Sequence, residues 1–195
     1  MSFNPDIFKI QTNNVIPRKG RILIAEPFLS GRLFNRSIIL LTAHGEKGTV
    51  GFIINKWLEV SIQDYIPDFP DFDAPVFIGG PVSTDSIYFI HNRSDVITGG
   101  IQVLNDIFWG GDFDELKKSI ALGMIKPRNV RFFMGYSGWD AGQLNLEIKE
   151  NSWLINDVEP NMIMGEKVPS WIDFVKRVGN QYSIWANFPE DPSLN

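Results

Sequence analysis

The chain has 195 residues, 44% hydrophobic and 21% charged, with no cysteine and a net charge of -5. These are ordinary globular values that exclude collagen, coiled coil and wholesale disorder, and the missing cysteine excludes disulfides, thiolate metal sites and cysteine nucleophiles. Met1 to Gln11 lacks the basic and then apolar regions of a leader, and no apolar run approaches the ~20 residues that span a bilayer, so a cytoplasmic, non-membrane protein is expected.

Residues 1–19 read as a polar arm whose Ile7, Phe8 and Ile10 could dock on the body, with a single domain over 20–195. Arg21 to Ala25 is a strand ended by Glu26-Pro27, because proline cannot donate to a ladder. Ser37 to Thr42 and Val50 to Ile54 are continuous rather than alternating, the mark of strands covered on both faces. Gly45-Glu46-Lys47-Gly48 between them has hairpin-turn composition. Ser61 is placed to cap a short helix through Tyr65. Three prolines then forbid regular structure over 67–75, where Phe69 and Phe72 serve as hydrophobic pegs or as a docking peptide; pegs are the preferred reading.

Val76 to Ile78 is a buried strand stopped by Gly79-Gly80-Pro81, and Ile87 to Ile90 is the next, ending near His91. Ile101 to Leu104 and Ile107 to Trp109 flank Asn105-Asp106, a two-residue hairpin signal. Asp112 and Glu115 form a capping box for a helix with Phe113, Leu116, Ile120 and Met124 on one stripe, closed by Gly123 and Pro127. Val130 to Met134 is a strand expected to stop at Gly135. A glycine-rich loop then delivers Asp140 as the N-cap of a helix through about Lys149, with Gln143 returning the bond. Trp153 to Ile155 is a short strand. A last helix starts near Pro169, buries Trp171, Ile172, Val175 and Val178, and ends at Gly179; the tail from Asn187 is irregular. Hairpins first and helices late indicate α+β with a mixed, mainly antiparallel sheet.

Little in these stretches spells out a reaction. Gly135-Tyr136-Ser137-Gly138-Trp139 approaches the nucleophile elbow G-x-S-x-G but has Trp139 in the last position. His44 and His91 both precede Ser137, which rules out the order serine, acid, histidine; a serine hydrolase of another design stays open. Two distant histidines give no metal-ligand spacing, and no metal or cofactor is expected. Glu26, Asp85, Asp140 and Glu147 are acid-base candidates only because they adjoin glycine-rich turns. Gly79 to Asp85 could form an anion nest or a tight crossover, and it lacks the lysine of a phosphate loop. Arg18, Lys19, Arg21, Arg32 and Arg36, and again Lys117, Lys118, Lys126, Arg128 and Arg131, form two basic stretches, read as solvated charge at element ends. The acidic total disfavours direct DNA binding.

Three spaced stretches carry a resemblance. Gly20-Arg21-Ile22-Leu23-Ile24-Ala25-Glu26-Pro27 with Phe34-Asn35-Arg36-Ser37, His44, Gly48, Gly51 and Asn55-Lys56 is the first. Gly79-Gly80-Pro81-Val82 is the second, and Gly135 to Trp139 with Gly142-Gln143-Leu144 and Glu147 is the third. In these the chain resembles the YqgE/AlgH family of bacterial proteins, some of which are described as transcriptional regulators. The resemblance implies a twisted, bulged sheet partly curled into a barrel with helices against it. It also implies a cysteine before the first histidine in many members, where Thr42 stands here, so a thiol mechanism is not available to this chain.

The leading expectation is a non-enzymatic protein with a polar pocket lined by Arg36, Asn55, Gly80, Tyr136, Gly138, Trp139 and Gln143: a guanidinium fork, aromatic faces and glycine-turn donors around a small molecule or protein partner. It requires the bends after Ile78 and after Met134 to share one recess. The alternatives are a transcriptional regulator acting through protein or weak nucleic-acid contacts, and an enzyme of unknown class.

Overall fold

A computed structural model describes residues 13–29, 31–167 and 169–188. Ile7, Phe8 and Ile10 of the expected arm lie outside the described residues. The strands are β1 (Ile22–Ala25), β2 (Ile38–Gly45), β3 (Gly48–Ile53), β4 (Trp57–Leu58), β5 (Val76–Ile78), β6 (Val82–His91), β7 (Ile101–Leu104), β8 (Ile107–Trp109), β9 (Val130–Trp139) and β10 (Trp153–Asn156). The helices are α1 (Phe113–Ala121), α2 (Gln143–Lys149), α3 (Pro160–Met164) and α4 (Trp171–Val178).

The main sheet runs β10-β1-β2-β3-β9-β6-β8-β7, all antiparallel, with β5 joining β9 in parallel and β4 pairing β5. The mixed, mainly antiparallel α+β expectation is met. The barrel is not: the sheet is open, neither closed nor curled into a barrel. Closure would require β10 and β7 to pair, and both are four-residue end strands. The free edge of β10 is instead satisfied locally, since the Asn13 amide both donates to the Ile155 carbonyl and accepts the Ile155 N–H at 3.0 Å. That blunts an otherwise open template.

β9 organises the sheet. Its first half, Phe132 to Met134, lies between β5 and β6, whereas Ser137 to Trp139 pair with β3. The change of neighbour falls at Gly135, whose φ of +66° is ready for glycine and strained for other residues. The strand therefore continues through the residue expected to stop it. β6 also begins earlier than its apolar run suggests. Val82 pairs with Tyr136 and Ile87 with Met134, so the exposed Ser83 to Asp85 segment lies in a bulged stretch of β6.

Strand alternation sends neighbouring residues to opposite faces. Ile22, Ile24, Ile38, Leu40 and Phe52 enter one core, roofed by Trp171, Phe174 and Val175 of α4 and by Trp185. Leu23, Ala25, Ile39, Leu41 and Ile53 enter another with Trp139, Leu144 and Trp153. Both sides of β1 to β3 are thus covered, as their unbroken apolar runs require. A third core gathers Phe132, Val130, Leu116 and Ile120 with Phe69 and Phe72, which are pegs and only 5% and 7% exposed.

The caps follow local chemistry with two departures. Asp112 accepts the Glu115 N–H at 2.9 Å, but the Glu115 carboxylate turns to the N–H and hydroxyl of Thr98 rather than completing a box. α1 ends at Ala121, leaving Met124 off the apolar stripe and exposed. Ser170 and Asp173 make a full capping box at α4. The short α3, opened by Pro160 and burying Met162 to Met164, was not expected from the sequence.

Candidate functional site

The bends after Ile78 and after Met134 do meet, backbone on backbone. The Gly79 N–H donates to the Met134 carbonyl at 2.8 Å, and the Gly79 carbonyl accepts the Ile53 N–H and the Ser137 hydroxyl, both at 3.0 Å. A Cβ on Gly79 would fall 2.1 Å from the Gly135 oxygen, and one on Gly80 2.2 Å from the Tyr136 carbonyl carbon. Chain therefore fills the space between the two bends. Ser137 is fully buried with its hydroxyl donated to a carbonyl, which leaves it no access as a nucleophile.

Arg36 and Asn55 form a second group, at the open end of the β2–β3 hairpin. The Asn55 side chain accepts the Ile38 N–H at 2.8 Å and donates to the Arg36 carbonyl at 2.9 Å, clamping the start of β2. The Arg36 guanidinium donates to the Phe188 carbonyl at 2.5 Å and lies over the Trp171 ring, 5.0 Å from its centroid. This arginine ties α4 and the segment after it to the sheet, a cation–π contact within the fold.

The third group lies at the hairpin's turn end, where β9 passes into α2. Trp139 pairs with Thr49, and Asp140 does not cap the helix: the N-cap is Gly142 at φ +78°. Half of the expected box exists, because the Gln143 carboxamide oxygen accepts the Asp140 N–H at 3.0 Å. The Gln143 amide then donates to Glu147 Oε1 at 3.0 Å, while Glu147 Oε2 accepts the indole N–H groups of Trp139 at 2.9 Å and Trp153 at 2.8 Å. Those two rings meet edge to face with centroids 6.0 Å apart. One carboxylate thus fixes helix, strand and core together.

A hollow of about 260 Å³ opens beside this group, lined by His44, Gly45, Glu46, Thr49, Gly142, Leu144 and Asn145. His44 Nδ1 is 2.8 Å from the Thr49 hydroxyl, which fixes the ring at the rim. None of the seven expected pocket residues lines this hollow; Gln143 stands in the chain between its lining residues Gly142 and Leu144, and Trp139 pairs with Thr49. Gly80 packs on the Tyr136 backbone at the β6–β9 contact, Gly138 pairs with Val50 of β3, and Arg36 and Asn55 sit at the far end of the hairpin. The six residue steps from Thr49 to Asn55 span roughly 20 Å of extended chain. Trp171, beneath Arg36, and Trp139 also belong to cores on opposite faces of the sheet.

Sequence reasoning passed over Thr49 and Asn145, and it grouped Arg131 with solvated charges although it is 5% exposed. The signal for Arg131 was its place inside the apolar run Val130 to Met134, where a strand covered on both sides leaves no solvent-facing position. Among the described residues, no three His, Cys, Asp or Glu side chains could hold a metal ion together. No helix among them is long and apolar enough to cross a membrane.

A family model described as AlgH-like matches residues 22–183. A UPF0301 protein of Bacteroides thetaiotaomicron is 43% identical over 197 residues and one of Bacteroides fragilis 44%, each alignment covering all of both chains. The solution structure of the AlgH protein from Pseudomonas aeruginosa is similar with a TM-score of 0.69 at 25% identity, covering 91% of this chain and 98% of that one. A crystal structure from Corynebacterium diphtheriae has a TM-score of 0.71 at 24% identity over 96% of this chain and 100% of that one, a likeness of fold. With a model match over most of its length and full-length relatives above 40% identity, the chain belongs to the UPF0301 family, also called YqgE/AlgH.

Proposed function

We propose that this chain is a non-enzymatic binding or regulatory protein whose ligand enters the hollow between the β2–β3 turn and the β9–α2 turn. One observation carries the reading. Two of the three stretches behind the family resemblance meet there and leave side chains with donors and acceptors, His44, Glu46, Thr49 and Asn145, around a space of about 260 Å³. That is near the lower end for small-molecule sites. Trp139 and Gln143 act as positioning residues through Glu147. Arg36, Asn55, Gly80, Tyr136 and Gly138 hold the strands that frame it. In this reading the binding unit is a single domain over residues 20–195, working in the cytoplasm, with 1–19 as its arm.

Equilibrium dialysis of the purified chain against a small-molecule cell extract, read by mass spectrometry, tests the proposal beside a His44→Ala/Asn145→Ala variant. A compound retained by the parent and lost by the variant, at unchanged melting temperature, is the expected result. No retained compound, or equal retention by both, overturns it.

A further inference from the structure

We propose that Arg131 forms the floor of a second site, which takes the phosphate group of a small phosphate monoester. Arg131, on β9, lines a hollow of about 300 Å³ together with Pro75, Lys126, Pro127, Arg128 and Glu166. Its Nη1 donates to the carbonyls of Pro127 and Val130, both at 3.2 Å, and its Nη2 to the carbonyl of Gly165. Its Nε–H is buried with no hydrogen-bond partner. Among the described residues, no carboxylate lies within ion-pair distance of Arg131, Lys126 or Arg128.

An arginine only 5% exposed carries a large desolvation penalty, which neutral carbonyls offset only in part. Burial pushes it down from its ordinary range, with no acid to hold it up. An anion is the missing partner. Its charge follows from the lining, where three cations face one carboxylate, in a chain whose total is -5. The imbalance suits a group of nearly two negative charges, and a phosphate monoester carries about -1.5 to -2 at neutral pH. Arginine and lysine together are the usual phosphate donors. The rings of Pro75 and Pro127 give the carbon part of such a ligand an apolar wall, and Glu166 gives it an acceptor for a hydroxyl.

Because Arg131 also ties three carbonyls, the exposed pair Lys126 and Arg128 is the place to perturb the site. The full chain is titrated with inorganic phosphate, glycerol 3-phosphate and acetate at constant ionic strength, followed by amide and Arg131 Nε–H resonances. Saturable shifts confined to residues 126–131 and 165–166, strongest with the ester and weakest with acetate, are expected. The Lys126→Gln/Arg128→Gln variant is expected to bind about tenfold more weakly at unchanged melting temperature, a loss of ~1.4 kcal/mol. Absence of saturable shifts with either phosphate, or equal affinity in the variant, overturns the proposal. The readout is separate from the His44 hollow, so each site stands or falls alone.

Discussion

Replacing Glu147 with alanine removes the acceptor of two indole N–H groups at once. Trp139 and Trp153 are 6% and 2% exposed, so water reaches neither ring freely. A buried donor left without a partner costs about 1–3 kcal/mol, which for two indoles centres near 4 kcal/mol. A domain's whole stability is about 5–15 kcal/mol, and at this length 1 kcal/mol moves the melting temperature by roughly 2–4 °C. Glu147→Ala is therefore expected to melt about 8–16 °C below the parent and to lose near-ultraviolet ellipticity from the coupled rings. Glu147→Gln keeps one carbonyl oxygen with two lone pairs for the indoles and forfeits the charge assistance and the second oxygen that accepts the exposed Gln143 amide, so its cost is smaller, about 1–2 kcal/mol. Urea melts of the three proteins decide the matter. An alanine variant within 1 kcal/mol of the parent, or a glutamine variant as damaged as the alanine one, would refute the assigned role.

Other substitutions probe the remaining joints. His91 is fully buried; its Nε2–H donates to the Gly110 carbonyl at 3.0 Å, and its Nδ1 accepts the Arg93 N–H at 3.1 Å, so the neutral ring is the one that fits. Burial lowers its pKa in the fold, so the unfolded chain binds the proton first and stability falls as pH drops below the ordinary histidine value of about 6.5. A His91→Gln variant should show a shallower decline over that range, and an identical slope would remove His91 as the cause. Ser137→Ala is expected to cost only about 1 kcal/mol, because the Gly79 carbonyl keeps the Ile53 N–H. It is also expected to leave ligand retention intact; abolished retention in a folded variant would restore a chemical role for the hydroxyl. Asn55→Ala frees both the Ile38 N–H and the Arg36 carbonyl and should cost about 2–4 kcal/mol in chemical denaturation, with a loss below 0.5 kcal/mol speaking against the clamp.

The strands that could be read from sequence were those whose identity is decided by their own residues. Ile38 to Leu41 and Phe52 to Ile54 are apolar without interruption because sheet faces on both sides bury them, and their turn is glycine-bounded. β9 was half legible. Gly135 has the composition of a stop, yet its neighbours on both sides find partners, and only the three-dimensional arrangement shows that the left-handed residue is a change of partner within one strand. Ser83 to Asp85 carry no apolar signal at all and belong to β6 as a bulge between Val82 and Ile87, the residues that pair with β9. The cap shift from Asp140 to Gly142 has a similar origin: the Gln143 side chain engages the Asp140 N–H, so helix α2 starts later. The glycine signatures did mark spatial neighbours. Their function is to let backbones touch at Gly79 and Gly80, whereas the hollow beside α2 is made by His44, Thr49 and Asn145, whose side chains no single motif brings together.

The most direct test of a binding role is a map of where a ligand lands. Amide resonances of the isotopically labelled chain are followed as the small-molecule fraction retained in dialysis is added back. Shifts concentrated at residues 44–49 and 140–145 are the predicted result. Shifts elsewhere with those segments silent, or a spectrum that does not change, would contradict the account.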